Sequence, residues 1–422
     1  MNPWNFRHAV IIVILLAAPL KTSAADRLTL REAVELTLKN SPQIRTAAHN
    51  TEIAKETIEQ ANSSYLPRVD IQGGYTALLD PQGIKMPTGS FDTQDSTFPF
   101  LSASVQQTIY DFGRREKRKE QAYLAQSAVS SGFAATRQDL AMLTVRTYFA
   151  ILQAGQLITT ASDEVVQREQ HLKMATSLFE EGVTTRNDLL QAEVKLAASR
   201  LKLMSTRTQL KNLWLQMNNL TGQPPEYLAE LAEEATTSTV VNSREITARD
   251  ELAAQRSVVN AAESAVQENR EEFFPELFVR GNIDYLKNSK MVEQTMYGVT
   301  VGVKINLFDG FATTSRQRQA VKQLEREKDR LREMESAYRV ELASARNDLE
   351  VAAERIEITR KAISQSEENL RINSDRYKAQ VGTATDVVDA QTLLSQAKSD
   401  HFQALYDFQV ARARVKRATG EL

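Results

Sequence analysis

The sequence predicts a mixed α+β membrane protein made of two tandem structural repeats, in which short amphipathic strands feed very long helices. Three observations carry that prediction. Proline is absent from residues 100–223 and 276–422, so two long stretches lack the residue that most disrupts helix interiors. The chain matches itself: Pro67 and Pro275 are 208 residues apart, as are Ile44 and Leu252, while Asp188 and Asp386, Ala192 and Ala390, and Gly222 and Gly420 are 198 apart. Four segments alternate apolar and polar residues with the period of two that marks a sheet with unlike faces.

The first element is a targeting segment. Arg7 and His8 precede an apolar run from Ala9 to Leu20, followed by Thr22-Ser23-Ala24-Ala25, which reads as a signal peptide over residues 1–25. The run is too short for a membrane-spanning helix, which needs about 20 residues. Repeat 1 is expected over 26–242 and repeat 2 over 243–422.

After Pro67 the apolar series Val69, Ile71, Tyr75, Ala77 and Leu79 alternates with polar residues and glycine, giving a strand at about 68–79. Asp80-Pro-Gln-Gly83 and Pro87-Thr-Gly89 read as a loop. Leu101, Ala103, Val105 and Ile109 mark a strand at about 100–110. Repeat 2 gives strands at about 277–286 and 297–308. At about 10 residues each, these fit tilted spans of a bilayer. Pro67, Pro275, Gly113 and Gly310 are the expected structural turns at the strand ends.

Long helices are expected at about 113–181 and 185–221, and again at about 311–381 and 385–419. From Leu342 the seam runs Ala345, Leu349, Ala352, Ile356, Thr359, Ile363, Ser366, Leu370, Asn373 and Tyr377, with large residues at one position and small or polar ones at the other. Its partner reads Val387, Ala390, Leu394, Ala397, His401, Ala404, Phe408, Ala411 and Val415. Steps of four and three denote knobs-into-holes packing. The only glycine between Gly310 and Gly420 is Gly382, expected to supply a positive φ at the second hairpin tip.

Composition narrows the functional classes. Lys and Arg number 52 against 54 Asp and Glu, a net charge of −2 that excludes a whole-chain electrostatic case for nucleic acid. With no cysteine, disulfides, Cys-ligated zinc, thiol catalysis and an N-terminal lipidated Cys are excluded. No nucleophile triad, metal set or phosphate loop is present, so neither catalysis nor a cofactor or metal is expected. Asp111-Phe112-Gly113 spells a kinase triplet without its companion motifs and reads as a strand-to-helix turn. Lipid tolerates only a closed sheet, and barrels need at least about 8 strands. Four strands therefore require oligomerisation; three copies would supply 12 strands.

Leu28-Thr-Leu-Arg-Glu-Ala-Val-Glu-Leu-Thr-Leu-Lys-Asn-Ser-Pro42, Tyr65-Leu-Pro67, Tyr110-Asp-Phe-Gly113, Leu307-Phe-Asp-Gly310, Leu220-Thr-Gly222 and the hairpin from Tyr377 to Gln391 together resemble the TolC-type outer-membrane factor family, over essentially all of residues 27–422. The resemblance implies a homotrimer with a 12-stranded β-barrel, four strands per protomer, in the Gram-negative outer membrane. An α-helical coiled-coil barrel would continue it through the periplasm. It implies a passive exit duct of a tripartite efflux pump or type I secretion system. The implied partners are a periplasmic adaptor (membrane fusion) protein, an inner-membrane transporter and outer-membrane lipid. A periplasmic coiled-coil adaptor or structural protein is the alternative, although nothing resembles an adaptor's lipoyl-like domain.

The resemblance also implies sites. Asp386 and Asp389, three residues apart on one helix face, match the acidic ring of a periplasmic gate, with Asp188 their counterpart in repeat 1, where Gln191 replaces the second acid. The bland reading is a solvated helix start. Gly182, Val183, Thr184, Gly382 and Thr383 are the implied adaptor-docking tips. Gly182 lies six residues before Asp188 but Gly382 only four before Asp386, so the second tip departs from the family's pattern. Arg114, Arg115, Lys117, Arg118 and Lys119, directly after a strand, are placed to meet anionic phospholipid or simply to solvate a helix turn.

Overall fold

The computed structural model describes residues 27–233, 249–379 and 381–422. The expected signal peptide at 1–25 and the boundary between repeats at 242/243 lie outside the described residues. Thr29 opens α1 (Leu30–Asn40) with a capping box to Glu32. The helix stops because Ser41 precedes a proline and adopts extended backbone; Pro42 then occupies the first turn of α2 (Pro42–Ser63), where its missing N–H costs nothing.

Four strands form one antiparallel sheet in the order β1 (Arg68–Ala77), β4 (Thr97–Tyr110), β5 (Glu276–Leu286), β6 (Thr295–Lys304). The register places Val69, Val105, Gly281 and Val299 in one row, and Ile71, Ala103, Ile283 and Tyr297 in the next. The alternating apolar series of the four strands therefore shares one exposed face, while Phe98, Phe100, Phe278 and Met296 stand on the other. The other face carries Arg68, Asp70, Ser102, Gln106, Asn282 and Asp284, with Ser102 and Asn282 donating to Asp284.

Two features depart from the sequence reading. The segment expected as a loop contains a small hairpin, β2 (Gly83–Met86) with β3 (Gly89–Asp92). β6 stops at Lys304 rather than 308 because Lys304 pairs with Glu276, and the next partner position is Pro275, which has no N–H to offer.

Each sheet half leads into a helix of 67 residues, α3 (Arg114–Glu180) and α6 (Ala312–Lys378), about 100 Å long at 1.5 Å per residue. The chain returns along them in α4 (Arg186–Thr221) and α7 (Ala384–Thr419), which end at Gly222 and Gly420 with φ of 71° and 77°. A shorter helix, α5 (Asp250–Glu271), covers the upper part of α6 as α2 covers α3. Below the middle of the molecule the packing order is α4, α3, α7, α6; above it, α2, α3, α5, α6. The upper part of the heptad seam of the second hairpin is buried, with Leu342 and Ala345 against Val415 and Ala418, and Ala352 against Phe408 and Ala411, whereas Ile356 to Tyr377 along the same line are half-buried. The largest core lies at mid-height, where α1 packs on α3 and α4. There Tyr148 is fully buried and its hydroxyl donates to the carbonyls of Leu28 (2.9 Å) and Ala232 (2.7 Å).

Candidate functional site

Two hairpin tips close the end of the molecule remote from the sheet. At the first, Gly182 adopts φ 72°, with Gly182 N donating to the Phe179 carbonyl (3.0 Å) and Val183 N to that of Leu178 (2.8 Å). This is the left-handed helix stop that glycine favours. Thr185 then caps α4 with a capping box to Asp188. The Asp188 carboxylate accepts from Thr185 Oγ1 (2.8 Å), Thr184 Oγ1 (2.8 Å) and Thr185 N (3.2 Å). The Thr185 hydroxyl, then that of Thr184, holds its pKa below the ordinary value.

The second tip turns differently. Val381 N and Gly382 N both donate to the Arg376 carbonyl, at 3.0 and 3.1 Å. Gly382 is not in the left-handed region, which corrects the expectation of a positive φ there. A Cβ at Gly382 would lie 3.1 Å from Arg376 Cβ and 3.2 Å from Tyr377 N, so the position requires close approach to the last turn of α6 instead. Gly382 stands 198 residues after Thr184 and cannot repeat its hydroxyl bond. Asp386 is held by Thr383: it accepts from Thr383 N (2.9 Å), a bond that lowers its pKa, as does the charge of Arg376, and its own N–H donates to Thr383 Oγ1 (3.2 Å).

Between the tips runs a groove of about 630 Å³ with Met174, Leu178 and Val183 on one side and Tyr377, Gly382 and Thr383 on the other; Thr184 and Asp188 also line it. The structure thus gathers Gly182's neighbours Val183 and Thr184, together with Asp188, Gly382 and Thr383, around one space. Asp386 and Asp389 do not line it. Asp386 turns back onto its cap, and Asp389 is exposed one turn further along α7.

Sequence reasoning missed a buried arginine just above this groove. Arg168 of α3 donates to Gln391 Oε1 (3.0 Å), Thr392 Oγ1 (2.9 Å) and the Val388 carbonyl (3.4 Å) on α7. Burial lowers its pKa, against the opposing charges of Glu164 and Asp389. His171, one turn below, is buried with its ring 6.0 Å from that of Tyr377, and burial lowers its pKa as well. His401 sits in the seam with Nδ1 3.1 Å from Thr359 Oγ1.

At the opposite junction, Pro67 and Pro275 directly precede β1 and β5. Gly113 and Gly310 adopt φ of 99° and 67° in the strand-to-helix turns. Asp111 accepts from Arg115 N and Nε, and Asp309 from Thr313 N and Oγ1, capping α3 and α6 in the same way. The basic run is engaged internally: Arg114 with Glu276 (2.7 Å), Arg115 with Asp111 (3.0 Å), Lys117 with Glu120 (2.9 Å) and Arg118 with Glu268 (2.7 Å). Lys119 lies 5.8 Å from the ring centres of Tyr65 and Tyr123. Among the described residues no helix is long and apolar enough to cross a membrane, and no group of three or more His, Asp or Glu is placed to hold a metal.

The family model described as outer membrane efflux protein matches residues 33–223 and 242–421. Among curated proteins, the chain is 23% identical to the outer membrane protein TolC of Vibrio cholerae, covering 98% of this chain and 95% of that one. It is 23% identical to the alkaline protease secretion protein AprF of Pseudomonas aeruginosa, covering 94% and 85%. The fold is similar to that of the outer membrane protein VceC of Vibrio cholerae, with a TM-score of 0.80 at 16% identity over 93% of this chain and 96% of that one. The outer-membrane channel OprN gives 0.81 at 17% identity over 93% and 90%.

Proposed function

Because the chain belongs to the outer membrane efflux protein family, we propose that it is the passive exit duct of a tripartite efflux pump or type I secretion system. One observation carries the mechanism: the protomer is open at both sides at every level. The sheet ends in β1 and β6, the upper helical layer in α2 and α6, and the lower in α4 and α6. The exposed edges carry a second apolar series, Leu190, Val194, Leu201, Met204 and Leu215 on α4 and Val351, Ile358 and Ile372 on α6. Heptad spacing of this kind suits a further helix–helix contact. A first-repeat edge facing a second-repeat edge is a heterologous contact, which closes into a ring of copies. Three copies join 12 strands, and a closed sheet is what lipid demands. The exposed apolar face then meets lipid and the polar face lines the lumen. A helical barrel continues the lumen through the periplasm.

In this reading the duct performs no chemistry. Its free-energy source is an inner-membrane transporter, coupled through a periplasmic adaptor that engages Gly182, Val183, Thr184, Gly382 and Thr383 at the tips. The groove between the tips, apolar at Met174, Leu178 and Val183, supports that assignment. Asp386, Asp389 and Asp188 ring the narrow entrance. Carboxylates gathered on one axis repel one another and attract cations. The exposure of Asp389 fits this role, whereas Asp386 and Asp188 also cap their helices.

The purified trimer in a planar lipid bilayer tests the reading. The expected result is a discrete cation-selective conductance, reduced by divalent cations, whose selectivity falls on Asp389→Asn with the trimer intact. Absence of discrete channels from both proteins refutes the duct; unchanged selectivity removes Asp389 from the entrance. For docking, photo-crosslinkers at Val183 and Thr383 should capture an adaptor encoded beside this chain; capture only from mid-helix positions would refute the tips.

A further inference from the structure

We propose that Arg168 sets the axial register between the two hairpins of a protomer, acting as a positioning residue whose contribution is uniqueness of packing rather than stability. The inference stands apart from what passes through the duct.

Positions 147, 154, 161, 168 and 175 recur every seven residues along α3 and form one buried line, none more than 3% exposed. Four of the five are small: Thr147, Ala154, Ala161 and Ala175. Such a line lets helices approach closely and discriminates poorly between neighbouring registers, because each alanine layer looks like the next. Arg168 is the exception, a charged side chain in a row of small ones. The counterpart of this line in the second hairpin, 198 residues on, reads Ala345, Ala352, Thr359, Ser366 and Asn373, with no charge. The device therefore belongs to one hairpin alone.

The guanidinium crosses to α7 and finds acceptors within a single turn, at Val388, Gln391 and Thr392. Behind it, Glu164 lies 3.9 Å from Arg168 and bonds Lys202 of α4 at 2.9 Å, so the chain of contacts runs α4, α3, α7. A slip of one heptad, roughly 10 Å, would change what α7 presents. In one direction Gln391 is replaced by Lys398, a like charge. In the other, Gln391 is replaced by Ala384, which offers no acceptor; the hydroxyl of Thr392 is replaced by that of Ser399 in the first case and Thr385 in the second, so what each slip loses is the Gln391 amide. A buried guanidinium that loses its amide acceptor, or meets a like charge in its place, is unfavourable, so both slipped registers are disfavoured. Replacing it with a small apolar side chain removes that penalty and, with it, the discrimination.

Because the chain has no native cysteine, spin labels at the exposed positions Lys173→Cys on α3 and Gln396→Cys on α7 report this register. The full chain is assembled with excess unlabelled chain, so that one protomer per trimer is labelled, and pulsed dipolar distances are measured. The native background should give one narrow distance. Arg168→Ala should broaden it or add a population displaced by roughly 10 Å, while the trimer's melting midpoint is retained or raised. Gln391→Ala with Thr392→Ala should broaden it in the same sense, and Arg168→Lys should keep the native maximum. A narrow, unchanged distance in either Arg168→Ala or the double variant overturns the proposal, as does broadening in Arg168→Ala that merely tracks a lowered melting midpoint. If Arg168→Ala fails to assemble, the double variant decides alone.

Discussion

At the residue scale the strand-to-helix turns hold the most instructive contrast between the repeats. Both place two consecutive residues at positive φ: Phe112 and Gly113 at 58° and 99°, Gly310 and Phe311 at 67° and 68°. The backbone path is the same, but glycine and phenylalanine have exchanged places. A left-handed conformation costs a side-chain-bearing residue roughly 1–2 kcal/mol, so each turn tolerates one strained position. Gly310→Ala should lower stability by about that amount, because a Cβ there meets no atom within 4 Å and only the backbone term changes. The check is the trimer's thermal midpoint in detergent; an unchanged midpoint would contradict a strained turn. Gly113 and Gly310 were legible in the sequence because glycine advertises unusual backbone. The strained phenylalanines were not, since nothing about their residue type signals positive φ.

At the scale of elements, four helices meet at mid-height in a knot of charges. Arg417 of α7 bonds Glu251 of α5 and Asp139 of α3 (2.6 Å), while Arg249 reaches Glu341 of α6 (2.7 Å) and stacks 3.8 Å from the Tyr338 ring centre. Burial by itself would raise the Glu251 pKa, but hydrogen bonds from Arg249 and Arg417 outweigh it and hold the carboxyl at about 2. With a folded pKa below the ordinary 4.5, this group's stabilisation is present in full above pH ~4.5 and is lost as pH falls toward ~2. The melting midpoint of Glu251→Gln should therefore sit below the native one at pH 7, and the gap should narrow on acidification from pH 5 to 3. A gap independent of pH would assign the loss to packing instead. The coiled-coil seams were readable from sequence, because Ala390, Leu394, Ala404 and Phe408 repeat with steps of four and three and are buried as that pattern requires. The knot was hidden: Arg249, Glu251 and Arg417 look like ordinary surface charges until four helices converge on them. Arg168 was hidden for a related reason, since a charge in a seam of small residues stands out only once the seam itself is identified.

At the scale of the whole molecule the sheet decides where the protein resides. Its rows put Val299 on the exposed apolar face and the adjacent Thr300 on the polar face beside Arg280. A lysine on the lipid face near mid-bilayer costs roughly 2–4 kcal/mol. Val299→Lys should lower the yield of assembled trimer in outer-membrane fractions, while Thr300→Lys should leave assembly unchanged and shift conductance. Equal effects of the two would contradict the assignment of faces. Strand position and facing were legible because two-residue alternation survives in every strand. The β2–β3 hairpin was not, because its Pro- and Gly-rich sequence reads as irregular chain, and the end of β6 depended on a partner, Pro275, distant in sequence. The tips were legible as glycine turns but not in conformation. Gly382 serves a close approach that no local pattern distinguishes from a positive φ.

The pairing of β4 with β5 has a kinetic consequence. Gln106 and Arg280 are neighbours across that seam yet 174 positions apart in the chain, whereas the helical hairpins are joined by turns of a few residues. Closing so long a loop is entropically slow relative to forming local contacts. Each protomer should therefore acquire its helices first and its sheet late, after the whole second strand pair has been synthesised. Once formed, that sheet carries an exposed apolar surface until further copies join it into a closed barrel. Pulse-labelling hydrogen exchange during refolding would show this order as protection of α3 and α6 preceding that of β4 and β5.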